Sequence, residues 1–364
     1  MTAPDPRASA SAPSDTKDTS LGRIDHVALG GANLCVAQSG EARCVGDWPV
    51  PFGGSGVKNQ GLRSWLAVRG VPKLRSMTVD QHRGCGVADK GLVVCWGNTT
   101  PTAFGWTGAV EGQLVATPVS GLSEVESLAL GTSGSCALTK QGKVTCWGPV
   151  FRPLPQKSRS IPPVRTLPLD GVKQIDGAGF HLCALRSDGT VHCTGQSPSG
   201  PSPSGEESLA LVPGLSDATQ LSVGHFGGCA ILGSGEVSCW GDNGRGQLGD
   251  GTLEPRKEAV RVRDLKDVVA VEAGHSFACA LTRGGEVYCW GDSGSCALGD
   301  EHRSCEKLKM GSTMGEVEID VCPVPQRIAL PISPERIALG SSTGCAIDAA
   351  GRVACWGRSL TEAP

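Results

Sequence analysis

The sequence predicts an all-β protein made of seven similar units, each with the four-strand content of a propeller blade. Three observations carry this. A frame of two cysteines ten residues apart recurs at Cys85/Cys95, Cys136/Cys146, Cys183/Cys193, Cys229/Cys239, Cys279/Cys289 and Cys345/Cys355, with a copy one residue shorter at Cys35/Cys44. The second cysteines follow one another at intervals of 51, 51, 47, 46, 50 and 66 residues, a period that marks a repeat array. Apolar residues alternate on both arms of each frame, the signature of a strand with one buried face.

Folded about its midpoint, each frame is its own mirror image. Cys279 faces Cys289 and Leu281 faces Val287; Val87 faces Val93, Leu138 Val144, Leu185 Val191, Ile231 Val237 and Ile347 Val353, and in the short first copy Ala37 faces Ala42. This is a β-hairpin whose bend falls at Gly91, Gly142, Gly189, Gly235, Gly285 or Gly351, where a positive φ is needed. Directly opposed cysteines in a hairpin lie within about 4.5–5.5 Å, close enough to bond. The alternatives are buried free thiols packed as small hydrophobes and zinc. Zinc is disfavoured because there is no C-x2-C pair and two thiols on one hairpin make a poor tetrahedral site.

Fourteen residues before each first cysteine stand Leu21, Val71, Leu122, Leu169, Leu215, Leu265 and Pro331; five before it, Gly30, Gly131, Gly224, Gly274 and Gly340 recur, with Asp80 and Ala178 as exceptions. Short alternating segments such as Val268–Val271 lie between these marks and supply a strand ahead of each hairpin. After each hairpin comes a variable loop, then a short apolar piece around Val68, Val119, Val164, Val212, Val260 or Ile328. Unit boundaries fall near 21–70, 71–121, 122–168, 169–214, 215–264, 265–330 and 331–364. The last has no room for an ordinary fourth strand. We expect residues just before Leu21 to dock beside Trp356 and close the ring.

Residues 1–20 are rich in Ala, Pro, Ser and Thr and are expected to be a disordered tail. They contain no apolar h-region of a signal peptide. Seventeen cysteines nevertheless argue for an oxidising compartment. The expected location is therefore extracellular, periplasmic or at the cell surface, with the cytoplasm as the alternative. A net charge of −3 gives no basic footprint for nucleic acid, and no apolar run is long enough for a membrane span.

Cys239-Trp240-Gly241-Asp242-Asn243-Gly244-Arg245-Gly246-Gln247-Leu248-Gly249-Asp250-Gly251-Thr252, preceded by Val223-Gly224-His225, resembles the signature of the regulator-of-chromosome-condensation (RCC1) repeat. The resemblance covers about residues 21–364. It is strongest in units five and six, and weaker in units one and four, where Val45 and Thr194 replace the tryptophan. It implies a seven-bladed β-propeller with mostly four-stranded blades. The cysteine-paired variety is similar to repeats of exported bacterial proteins, especially those of myxobacteria.

His225 and His275 occupy equivalent repeat positions, with His82 and His181 nearby in the frame; a residue repeated in several blades reads as structural. Trp96, Trp147, Trp240, Trp290 and Trp356 read as inter-blade packing, and Asp242, Asn243, Asp250 and Asp292 as turn formers. No P-loop, G-x-S-x-G, H-E-x-x-H or EF-hand frame occurs. The expectation is a non-enzyme with no cofactor and no metal site. The loops after each Trp-Gly are expected on one face, and they hold the candidate partner-binding residues Trp48, Trp65, Phe104, Trp106, Phe151 and Arg152. Those rings either meet a partner or merely pin the loops. Lys157, Arg159 and Arg165 extend a basic run in loop three.

Unit six carries the largest insertion, residues 292–323, with Cys296, Cys305 and Cys322. We expect Cys305–Cys322 to staple its ends and Cys296 to stay free. The functional expectation is a module that binds a protein or surface component through its loop face. The alternatives are a regulator or inhibitor of a partner enzyme, such as nucleotide exchange on a small GTPase or inhibition of a secreted enzyme, and an enzyme with its site in the central funnel.

Overall fold

The computed structural model describes residues 24–31, 33–38, 40–46, 62–81, 83–97, 114–131, 134–147, 165–179, 181–194, 209–292, 305–312 and 315–357. Among the described residues seven sheets, antiparallel apart from one two-residue strand, stand round one axis. Their innermost strands are His26–Gly30, Leu74–Val79, Val125–Leu130, Val172–Ala178, Ala218–Gly224, Val268–Ala273 and Pro334–Leu339, each touching the next and the last touching the first. The protein is a seven-bladed β-propeller.

The mirror read from the sequence is the register of the second and third strands: Cys279 lies opposite Cys289 and Leu281 opposite Val287, and every blade repeats the arrangement. The bends sit at glycines of positive φ, between +75° and +80° at Gly91, Gly142, Gly189, Gly235, Gly285 and Gly351.

Among the described residues eight disulfides form. Seven join the facing cysteines of the hairpins: Cys35–Cys44, Cys85–Cys95, Cys136–Cys146, Cys183–Cys193, Cys229–Cys239, Cys279–Cys289 and Cys345–Cys355, with Cα atoms 4.0–4.1 Å apart. The eighth is Cys305–Cys322. For these sixteen residues the bonded state replaces the free-thiol and zinc alternatives. On the third strands Cys44, Cys95, Cys146, Cys239 and Cys289 are buried, whereas Cys193 and Cys355 are half-buried. Cys296 lies outside the described residues.

The core is divided into seven clusters, one at each seam between blades. The repeat tryptophans fill these seams: Trp96 packs with Val68 and Leu74, Trp290 with Val237 and Val262, and both are wholly buried. Trp290 Nε1 donates to Gln247 O at 3.0 Å, a carbonyl supplied by the full Gly-Gln-Leu-Gly segment of unit five. The glycine five residues before each first cysteine has an equally local cause. A Cβ there would stand 2.1 Å from Val79 O at Gly30 and 2.3 Å from Gly274 O at Gly224, because inner-strand ends of adjacent blades meet backbone to backbone.

Unit two replaces that glycine with Asp80 and builds a different joint. Arg83, only 4% exposed, pairs with Asp80 at 2.8 Å and donates to Gly134 O at 2.8 Å and to Gly131 O of blade three. Replacing Arg83 with Met would take a buried guanidinium away from Asp80 and from the carbonyls of Gly131 and Gly134, so a loss of about 3 kcal/mol is expected in urea unfolding; a change below about 1 kcal/mol would show the joint to be dispensable.

Among the described residues four sheets have four strands, two have five and one has three. Blade one gains Leu114–Val115, which runs parallel to its outer strand Leu62–Arg69. Blade seven ends, among the described residues, at its third strand, Val353–Gly357. The ring still closes. Ile24, Leu34, Val36 and Val45 of blade one share a cluster with Cys345 and Ile347, Ser341 N donates to Gly31 O at 2.8 Å, and Arg336 Nη1 donates to Asp25 O at 2.8 Å. The expected docking of the segment before Leu21 lies outside the described residues.

Candidate functional site

In each blade the chain passes from the inner to the second strand at the same end where the third strand leaves for its long loop. Backbone bonds fix this: Asp242 N donates to Phe226 O at 3.0 Å and Asp292 N to Ser276 O at 2.9 Å. The variable loops of blades five and six therefore start on the face that carries the turns nearest the axis.

On that face blades four to six present His181, His225 and His275. The His225 and His275 rings lie 4.5 Å apart, and Phe226 sets its edge against them at 4.7 and 5.0 Å while staying 37% exposed. Burial holds all three imidazoles below the usual histidine range. His225 falls to about 4, pushed further by the neighbouring His275 and His181, and His275 is lowered by the nearby Arg245 as well. The three imidazoles are therefore uncharged at neutral pH and act as packed, neutral aromatic surface. Among the described residues no group of three or more His, Cys, Asp or Glu is placed to hold a metal ion.

Around the rim the loop of unit five is fixed by its own side chains. Asn243, fully buried, donates to Thr252 O and Glu254 O at 3.0 Å and accepts from Leu248 N at 3.0 Å. Asp250 accepts from Thr252 N at 2.9 Å. The turn-forming roles read for these residues are what they do. Arg245 crosses the seam to pair with Asp292 of blade six. Gly224, Phe226, Trp240, Asp242, Gln247 and His275 line a shallow pocket at the seam.

Beside this loop rises a feature the sequence reading treated only as an insertion. Glu306–Ser312 pairs with the first half of the fourteen-residue strand Gly315–Ile328, whose second half serves as the outer strand of blade six. Cys305–Cys322 closes the hairpin where it leaves the blade, and Gly251 N donates to Pro323 O at 2.9 Å at its base. Lys307 lies opposite Asp320 and Lys309 opposite Glu318, with Lys307 and Glu318 paired at 2.8 Å; Leu308 lies opposite Ile319 and Met310 opposite Val317. Lys307, Lys309, Glu318 and Asp320 thus share one face of the hairpin, and Leu308 and Ile319 lie on the other. The period-two pattern of residues 306–310 and 316–321 was the available signal.

One step below the rim, three consecutive inner strands carry polar residues at a single level: Asp176 opposite Cys183, Ser222 opposite Cys229 and Glu272 opposite Cys279. Asp176 accepts from Gly177 N at 2.8 Å and Val223 N at 2.7 Å. Ser222 Oγ accepts from Ala273 N at 3.0 Å and donates to Glu272 at 3.4 Å. Among the described residues neither carboxylate has an ion-pair partner. Burial and then the Asp176 charge push Glu272 up to about 8; burial pushes Asp176 up to about 6 against the pull of its two N–H donors.

Of the partner-binding candidates read from the sequence, Trp65 alone is placed. It stands not on a loop but in the outer strand Leu62–Arg69 of blade one, 38% exposed, because that strand begins earlier than the apolar piece around Val68 suggested. Trp48, Phe104, Trp106, Phe151, Arg152, Lys157 and Arg159 lie outside the described residues. No described helix is long and apolar enough to cross a membrane.

Residues 218–247 and 268–296, and also 234–281, match the Regulator of chromosome condensation (RCC1) repeat. Among solved structures the chain is similar to Prp20p from Saccharomyces cerevisiae, a protein described with its binding to Gsp1p and histones: TM-score 0.67, 16% identity, covering 90% of this chain and 84% of that one. Human WBSCR16 is similar with TM-score 0.66 and 19% identity over 88% and 86% of the two chains. The entire ectodomain of the receptor kinase CR4 from Physcomitrella patens follows at 0.55 and 18%, over 93% and 74%. At these identities the likeness is one of fold.

Proposed function

We propose that this chain, a propeller that carries RCC1 repeats, is a non-enzymatic, exported binding module that takes a protein or cell-surface partner on its loop face. The observation that carries the reading is the surface over blades five and six: exposed Phe226 set against two uncharged imidazoles, next to a stapled hairpin with one apolar side. Aromatic anchors on rigid supports are where binding energy concentrates, and loops on a rigid ring are where function usually sits. Eight disulfides favour an oxidising compartment. Propellers of this fold serve as partner-binding proteins in yeast Prp20p and as an ectodomain in the moss receptor kinase, in keeping with this role.

A second reading, a regulator or inhibitor of a partner enzyme, is favoured by the same hairpin, whose projection from the ring suits it to enter a cleft. Both are tested by affinity capture from the source organism's secretions and envelope. Phe226→Ser and the pair Leu308→Asp, Ile319→Asp are expected to weaken capture at least tenfold. A parallel variant with Trp65, Trp106 and Phe151 replaced by Ser reports the wider loop set. Undiminished capture by every variant would move the site off this face.

A further inference from the structure

We propose that the outer edge of blade seven is a strand-acceptor site, filled by an extended segment of a partner protein that places an aliphatic residue at the level of Val353. The other six blades define what such an edge takes. Each lays an antiparallel strand along its third strand. In five of them one residue at that strand turns inward: Val68, Leu167, Val212 and Val262 are 5% exposed and Ile328 is 6% exposed. In four blades the amide of the residue at this place donates to the same carbonyl, Val119 N to Val93 O at 2.9 Å, Leu167 N to Val144 O at 2.8 Å, Val212 N to Val191 O at 2.8 Å and Val262 N to Val237 O at 2.9 Å.

Val353 is the equivalent acceptor residue in blade seven, since it faces Ile347 as Val237 faces Ile231. Val93, Val144, Val191, Val237 and Val287 are at most 1% exposed, whereas Val353 is only half-buried, as are Ala354 and Cys355 beside it. Among the described residues nothing pairs with the outer edge of this strand. Among the described residues the site thus offers an unpaired backbone edge and an apolar socket, the two elements of recognition by strand addition, on an edge that proteins otherwise protect.

The chain's own leading segment is a poor match. The inward residue precedes the next inner strand by six residues in five of the blades, as Val68 does Leu74 and Val262 does Val268, and by five from Leu167 to Val172. Ile24 holds the corresponding place in blade one, buried like Leu74. The same spacing puts Asp18 or Thr19 at the socket. Neither is aliphatic, and burying a carboxylate or a hydroxyl in an apolar socket costs free energy that a methyl-bearing side chain does not, so the chemistry favours an aliphatic residue from another chain. This inference does not depend on the loop-face reading.

The test uses the intact chain and a fluorescein-labelled peptide of its own blade-five outer strand, residues 256–263, with Val262 as the socket residue. Saturable binding is expected, with at least tenfold weaker binding of the same peptide carrying Val262→Asp. Hydrogen exchange should show new protection confined to residues 353–357, and deleting residues 1–20 should leave exchange there unchanged in the free chain. Equal binding of the two peptides, or protection elsewhere, overturns the proposal. So does strong protection of residues 353–357 in the free chain that vanishes on deleting residues 1–20, since the edge would then be filled from within.

Discussion

Reduction of the disulfides is expected to unfold this protein or leave it marginal at 37 °C. Each hairpin bond closes a loop of about ten residues, which by chain entropy contributes roughly 2–3 kcal/mol. Full additivity over eight bonds would exceed the whole stability of a typical domain, about 5–15 kcal/mol. The sum must therefore be smaller, since a chain biased toward hairpins has less freedom to lose. Even half of it is comparable with total stability. The melting temperature should fall by more than about 15 °C in excess reductant. Thiol titration of the denatured, unreduced protein should find about one free group, because sixteen of the seventeen cysteines are paired in the eight bonds. Seventeen thiols together with an unchanged melt would place the chain in a reducing compartment. Removing Cys305 and Cys322 alone should differ in kind: the hairpin frays while the ring melts nearly as before.

The ring was legible because its signals repeat. A glycine turn between mirrored arms, a Trp-Gly and a period near fifty residues each recur often enough that one copy corrects another, and local register then follows from the positions of the two cysteines. The glycine before each hairpin was visible as a recurrence, although its cause, backbone touching backbone across a seam, needs three dimensions. What did not recur was harder to read. Trp65 was assigned to a loop because strand and loop share composition there. The histidines were recognised as repeat positions, but sequence cannot say that three of them converge with Phe226 exposed beside them. The polar row was legible in principle: the residue seven before the first cysteine is Asp176, Ser222 and Glu272 in three successive units and Ala28, Thr78, Ala129 and Ala338 elsewhere. Reading the repeat by columns, rather than along each unit, would have found it.

That row makes the other large prediction: Glu272→Gln should stabilise the protein, and the gain should grow with pH. Native Glu272 holds its proton up to about 8, whereas an unfolded glutamate releases it near 4.5. Between those values the unfolded state binds fewer protons, so stability declines as pH rises from about 4.5 through about 8 and stays low above it. Glutamine keeps an oxygen to accept from Ser222 and removes the charge that burial and Asp176 both oppose. Solvent reaches part of the side chain, so the gain is put at roughly 2 kcal/mol above about pH 8, vanishing below about pH 5. Asp176→Asn should do the opposite despite being the same chemical change. Both Asp176 oxygens accept backbone N–H groups, from Gly177 and Val223, and an amide would turn an NH2 toward one of those donors. A loss of about 1–3 kcal/mol follows from the mismatched donor. The two carboxylates are thus unequal partners: Asp176 is held by two donors and carries the charge, while Glu272 yields by keeping its proton. Urea melts of both variants at about pH 5 and about pH 8.5 decide this. Equal effects of the two substitutions, or a Glu272→Gln gain that does not change with pH, would show that this row across blades four to six is not governed by the proton on Glu272.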